Sequence, residues 1–122
     1  MTTLNQLCDM VIEARENLKA HGFNMGTIID FGISTRYRRC WAKCYKKGPN
    51  SFVIKVNSEI LRGHPSSIRD TIYHEVIHTC KGCFNHGPNF KYAANVCNVN
   101  FGTHVQVGCT IDEMMNGKKV GA

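Results

Sequence analysis

Tyr73-His74-Glu75-Val76-Ile77-His78 has the form H-E-x-x-H. On an α-helix, residues four apart lie nearly one above the other, so His74 and His78 would face the same way. Both could then bind one Zn²⁺ through neutral imidazole nitrogens. Glu75 would project about 100° round from His74. A carboxylate there can take a proton from a water on the metal without being a ligand itself. The competing reading is a helix with two packed or solvated His beside a surface Glu, and the context argues against it. Ser67-Ile68-Arg69-Asp70 reads as a capping-box start, with Pro65 just before it. Ile68, Ile72 and Val76 follow at i, i+4 and i+8, flanked by Tyr73 and Ile77. A helix over 67–80 with so little polar surface is built for burial, and a buried His and Glu need partners.

On the N-terminal side, residues 3–20 form an amphipathic pattern, with Leu4, Leu7, Val11, Ala14 and Leu18 on one stripe. Thr3 and Gln6 fit a capping box and Gly22 fits the C′ position, so the reading is a helix that covers a sheet. Residues 27–33 are apolar and β-branched and read as a strand. Residues 36–46 read as a second, more exposed strand and 51–57 as a third. The turn Lys47-Gly48-Pro49-Asn50 makes the last two a hairpin. Residues 59–63 read as a short helical piece. Beyond the motif, 81–86 is a loop, and Pro88 suits a first helical position. Residues 89–98 form a helix with Phe90, Ala94 and Cys97 on one side. A further strand at 104–107, a helical turn at 112–116 and a frayed end at 117–122 complete the expectation. The fold class is α+β: a small, mainly antiparallel sheet of about three strands, packed by the N-terminal helix and the motif helix.

A chain of 122 residues suits one domain, and 43% hydrophobic with 20% charged residues is a globular composition. No run approaches 18 apolar residues, so no membrane span is expected. The start, Met1-Thr2-Thr3-Leu4-Asn5-Gln6, lacks a basic segment followed by an apolar one, the mark of a secretory signal. Seven Cys without such a signal imply reduced thiols and a cytoplasmic location. The net charge of +6 is unevenly spread: Arg36, Arg38, Arg39, Lys43, Lys46, Lys47 and Lys55 fall in residues 31–58, with no Asp or Glu. Tyr37, Trp41 and Tyr45 interleave with them. The stretch from Arg36 to Lys47 therefore reads either as a nucleic-acid contact, basic groups on phosphates and rings on bases, or as a solvated edge strand.

A catalytic zinc takes three protein ligands plus water. The downstream candidates for the third are His86, His104, Asp112, Glu113 and the thiols. His86 follows His78 by eight residues, a loop long enough to return a side chain to the helix end. The metzincin pattern places its third His six residues on, which excludes that class. A deaminase signature is excluded because Glu75 directly follows His74 and no Pro precedes Cys80. Cys40 with Cys44, and Cys80 with Cys83, could form a four-thiolate site, though ordinary reduced cysteines account for them as well.

The motif His74-Glu75-Val76-Ile77-His78 followed by His86-Gly87-Pro88-Asn89-Phe90 resembles the H-E-x-x-H and later H-G-x-x-F of the SprT-like zinc metallopeptidase domains, the SprT/Spartan family. The order of upstream elements is similar too. The resemblance covers roughly residues 1–100. It implies a zincin-like fold, with His74, His78 and His86 as ligands of one catalytic Zn²⁺, Glu75 as general base, and a protein or peptide as substrate. Relatives of the Spartan type act on proteins crosslinked to DNA, which would give the basic stretch a purpose. Many relatives also carry a C-terminal zinc ribbon, for which 122 residues leave no room. The rival class is a nucleic-acid-binding or adaptor module whose zinc is structural.

Overall fold

The computed structural model describes residues 1–37 and 39–106. Within them lie α1 (Leu4–Ala20), β1 (Thr27–Ser34), β2 (Ala42–Gly48), β3 (Ser51–Asn57), a 3₁₀ turn (Ser58–Arg62), α2 (Pro65–Ile77) and α3 (Pro88–Asn100). The expected turn at 112–116 and the end at 117–122 lie outside the described residues. Of the strand expected at 104–107, residues 104–106 are irregular and Val107 lies outside the described residues. No described helix is long and apolar enough to cross a membrane.

Thr3 caps α1 through the expected reciprocal pair: its hydroxyl accepts from the Gln6 N–H, and the Gln6 side chain accepts from the Thr3 N–H. Leu7, Val11, Ala14 and Leu18 are buried, whereas Leu4, on the same stripe, is exposed. The stripe packs chiefly on α2 and touches the sheet mainly at β1, so α1 backs the motif helix more than it covers the sheet. A polar cluster joins the two helices. Tyr73 donates its hydroxyl to Glu13 and accepts from Asn17, and Arg69 donates to Glu13 and to the Phe101 carbonyl.

The sheet order is β1-β3-β2. The β2-β3 hairpin is antiparallel as expected, but β1 pairs with β3 in parallel, so the sheet is mixed rather than mainly antiparallel. Strand β3 is central, and Phe52, Val53, Ile54 and Val56 are all buried, on both faces. The second strand begins at Ala42 rather than at 36, because after β1 the chain must first cross from one edge of the sheet to the other.

Helix α2 starts earlier than the capping-box reading placed it. His64 is the N-cap, its Nδ1 accepting from the Ser66 N–H, and Pro65 takes the first helical position, where its fixed φ and missing N–H fit. Asp70, released from capping, accepts from the His104 N–H instead. Ile68, Ile72, Tyr73, Val76 and Ile77 are wholly buried, each worth about 1.5–3 kcal/mol relative to exposure. The helix ends at Ile77, where the Thr79 hydroxyl turns back onto the Val76 carbonyl. The chain then runs beside residues 24–26: Lys81 donates to the Asn24 carbonyl and Gly26 to the Thr79 carbonyl. Gly26 is required on its other side, where it meets the start of β3: a Cβ there would lie 2.4 Å from the Phe52 ring and 2.9 Å from the Asn50 carbonyl oxygen.

Asn57, 2% exposed, ties the crossover to the end of β3. Its amide donates to the Tyr37 and Cys40 carbonyls, and its oxygen accepts from the Glu59 N–H. Replacing it would strand three backbone groups. Asn57→Ala should lower unfolding free energy by about 2–3 kcal/mol, read from urea denaturation. A change below about 0.5 kcal/mol would mean that the crossover is held by other contacts.

Candidate metal centre

Helix α2 delivers His74 and Glu75. His78 is its C-cap residue and keeps right-handed helical dihedrals (φ −58°, ψ −23°), so the i, i+4 relation survives although the regular helix has ended. The two rings lie 5.0 Å apart. The third ring arrives by a tightly folded loop. Cys80 and Cys83 donate to the Ile77 and Cys80 carbonyls, and Gly82 takes φ +78°, where a side chain would be strained. Asn89 at the start of α3 donates to the Gly82 carbonyl. His86 Nε2 then sits 3.2 Å from His74 Nε2 and 3.1 Å from His78 Nε2.

Hydrogen bonds on the far side of two rings settle their tautomers. His74 Nδ1 lies 2.6 Å from the Gln106 carbonyl oxygen and His78 Nδ1 lies 3.0 Å from that of Cys83. A carbonyl only accepts, so both Nδ1 atoms carry protons and both Nε2 atoms present lone pairs. Those lone pairs converge on His86 Nε2, which as an N–H could satisfy only one of them. One cation would satisfy all three. Zn–N bonds in a tetrahedral shell put neighbouring nitrogens about 3.3 Å apart, close to the two spacings from His86, and all three donor atoms lie within 4.8 Å of one another. The three His therefore form a set that could hold a metal ion.

Electrostatics agree with the geometry. Burial, followed by the neighbouring His78, pushes His74 down to about 3, and burial pushes His78 down to about 4 and lowers His86. Rings so placed are neutral at physiological pH, the form a metal binds. Phe90, wholly buried on α3, packs against all three rings with centroids 4.8 to 4.9 Å away. Glu75 is 6% exposed, and burial alone raises its carboxyl to about 8. Among the described residues no donor reaches that carboxylate. A cation on the adjacent His set would favour its charged form. Across from it, the Tyr37 hydroxyl and the Cys40 and Cys44 thiols lie close enough for its charge to raise them further.

The other sequence candidates stand elsewhere. His104 is exposed and contributes its backbone N–H to Asp70, while Asp112 and Glu113 lie outside the described residues. Among the described residues the two Cys pairs gather into no metal-spaced set. Burial holds the Cys44 and Cys80 thiols up at about 12 and raises Cys83, so they stay protonated. Cys83 serves through its carbonyl, not its sulfur. Neither nearby tyrosine hydroxyl faces the His cluster: Tyr73 is committed to α1, and Tyr92 is exposed on α3 against Phe23. Sequence reasoning missed the carbonyls of Cys83 and Gln106, which carry no side-chain signal. It marked Phe90 as a motif residue on the buried side of its helix, but missed that this ring forms the floor under all three His.

Phe90 offers a direct test. Phe90→Leu should keep the fold at a cost of about 1–1.5 kcal/mol, yet weaken zinc affinity measured by chelator competition, because the rings lose the surface that spaces them. Unchanged affinity would make Phe90 ordinary core.

Among curated proteins, none matches the chain. The family model described as SprT-like matches residues 11–110, a span that includes α2, the return loop and α3. With most of its length matched, the chain belongs to the SprT-like family.

Proposed function

We propose that this chain is a zinc-dependent metallopeptidase of zincin-like fold, with His74, His78 and His86 as ligands of one zinc ion and Glu75 as general base. The observation that carries the reading is the convergence of three Nε2 atoms, two with their tautomers locked, beside a buried carboxylate that has no protein partner among the described residues. Zinc held there supplies Lewis acidity, polarising the scissile carbonyl and lowering the pKa of a water toward about 7.

The chain's own residues supply the rest. Burial keeps Glu75 basic enough to accept a proton from the attacking water and acidic enough to return it to the leaving amine. The Gln106 and Cys83 carbonyls hold the His74 and His78 rings in one orientation. The wholly buried Phe90 closes the floor of the site. Exposure rises from His78 through His74 to His86, so substrate would approach from the His86 side. Free thiols at Cys8, Cys40, Cys44, Cys80, Cys83 and Cys97 suit a reducing compartment such as the cytoplasm. The rival reading, a structural zinc in a binding module, would favour thiolate donors and a closed shell. The donors here are imidazoles and one of them is exposed.

Purified protein should contain one zinc per chain, lost on His74→Ala, His78→Ala or His86→Ala and retained in Cys40→Ser and Cys83→Ser. A zinc that follows the cysteines would move the function to the binding-module class. Glu75→Gln should keep its zinc while hydrolysis of an unfolded protein substrate falls by about 10²–10⁴-fold. Retained hydrolysis would remove Glu75 from its role.

A further inference from the structure

Residues 101–106 form no helix or strand, yet the Gln106 carbonyl at their end holds the His74 ring, 2.6 Å from Nδ1. Irregular backbone has no ladder of its own, so side chains must fix where it runs. The Phe101 N–H closes α3 on the Cys97 carbonyl, and Gly102 turns the chain with φ +70°. From Thr103 onward two helices hold it by turns. Helix α2 offers Asp70, which accepts from the His104 N–H at 2.9 Å. Helix α3 offers Asn98.

The Asn98 carboxamide makes three bonds to that segment. Its Oδ1 accepts from the Thr103 hydroxyl at 2.8 Å and from the Val105 N–H at 2.7 Å, and its Nδ2 donates to the Val105 carbonyl at 3.2 Å. A backbone N–H only donates and a carbonyl only accepts, so the partners fix which end of the amide is oxygen. One side chain thus pairs both polar groups of Val105, as a neighbouring strand would. An aspartate would lack the donor and a lysine the acceptor. Thr103 is 1% and Val105 7% exposed, so little water could replace those bonds.

The clamp reaches the His cluster through a single residue. A peptide unit is planar, so holding the Val105 carbonyl also holds the plane that leads into Gln106. Only the φ and ψ of Gln106 then lie between the clamp and the oxygen that takes the His74 Nδ1 proton. With that proton held, the His74 Nε2 lone pair faces His86. His78 has a separate hold, the Cys83 carbonyl in the return loop, which Asn98 does not touch. Asn100 stands two residues further along α3 and donates to the Val96 carbonyl within its own helix. The chain therefore carries its own comparisons, a second ring and a second asparagine.

We propose that Asn98 is a positioning residue of the metal centre: by clamping Thr103 and Val105 it aims the Gln106 carbonyl that orients the His74 ring. This rests on the metallopeptidase reading and deepens it. The test uses the zinc-loaded full chain and proton NMR of the imidazole N–H groups. In the wild type the Nδ1 protons of His74 and His78 should both be protected from exchange with water. Asn98→Ala should lose the His74 signal to rapid exchange and leave that of His78. Asn98→Asp, which keeps the accepted bonds and loses the donated one, should speed His74 exchange to a smaller degree. Asn100→Ala should change neither ring. Zinc affinity from chelator competition should fall about tenfold in Asn98→Ala and hold in Asn100→Ala. Where circular dichroism finds the alanine variant unfolded, the aspartate variant decides. A His74 proton unmoved by the Asn98 substitutions, release of both rings together, or unchanged zinc affinity would overturn the proposal. An unmoved His74 proton in a protein that binds zinc and cuts its substrate would sink this inference and leave the peptidase reading standing. Selective release of His74 in a protein that holds zinc on three His but cuts nothing would do the reverse.

Discussion

Two backbone carbonyls decide what the His cluster is. The Gln106 and Cys83 oxygens each take the Nδ1 proton of one imidazole, and the opposite nitrogens are left as lone pairs aimed at a common point. Without those bonds each ring could flip its tautomer or rotate, and a third His nearby would be a chance neighbour. With them, the three nitrogens form a set that could hold a metal ion. The carbonyls come from the return loop and from the segment after α3, so both pieces of backbone must be in place before the site exists.

That requirement explains much of the packing around α2. The helix is buried on the sides that meet α1, β2 and α3. The Glu13–Tyr73–Arg69 cluster fixes it against α1 and, through the Phe101 carbonyl, also fixes the end of α3. Residues 24–26 clasp the start of the return loop. Phe90 then packs against all three rings at once. A metal site needs sub-ångström placement of its donors, and here the core supplies it.

Much of this was legible in the chain. The α1 cap at Thr3, the hairpin turn at 47–50 and the start of α3 at Pro88 are local chemistry, decided by a few adjacent residues. The pairing of His74 with His78 follows from helical period, and the eight-residue return to His86 from loop reach and family resemblance. What stayed hidden was non-local. Nothing in residues 27–34 says that their partner is β3, in parallel, because no tight turn links the two. Ser67 and Asp70 formed a plausible cap, but Pro65 let the helix begin earlier and Asp70 found the His104 N–H. Asn57 looked like a strand end and is a buried anchor. The amphipathic stripe of α1 showed that it covers something, but not that this is α2.

The central claim is a zinc shell of three imidazoles with no sulfur. X-ray absorption on the zinc-loaded protein tests it most directly. The account predicts nitrogen and oxygen scatterers at about 2.0–2.1 Å, with the multiple-scattering signature of three His rings. A sulfur scatterer at about 2.3 Å, or fewer than three imidazoles, would contradict it.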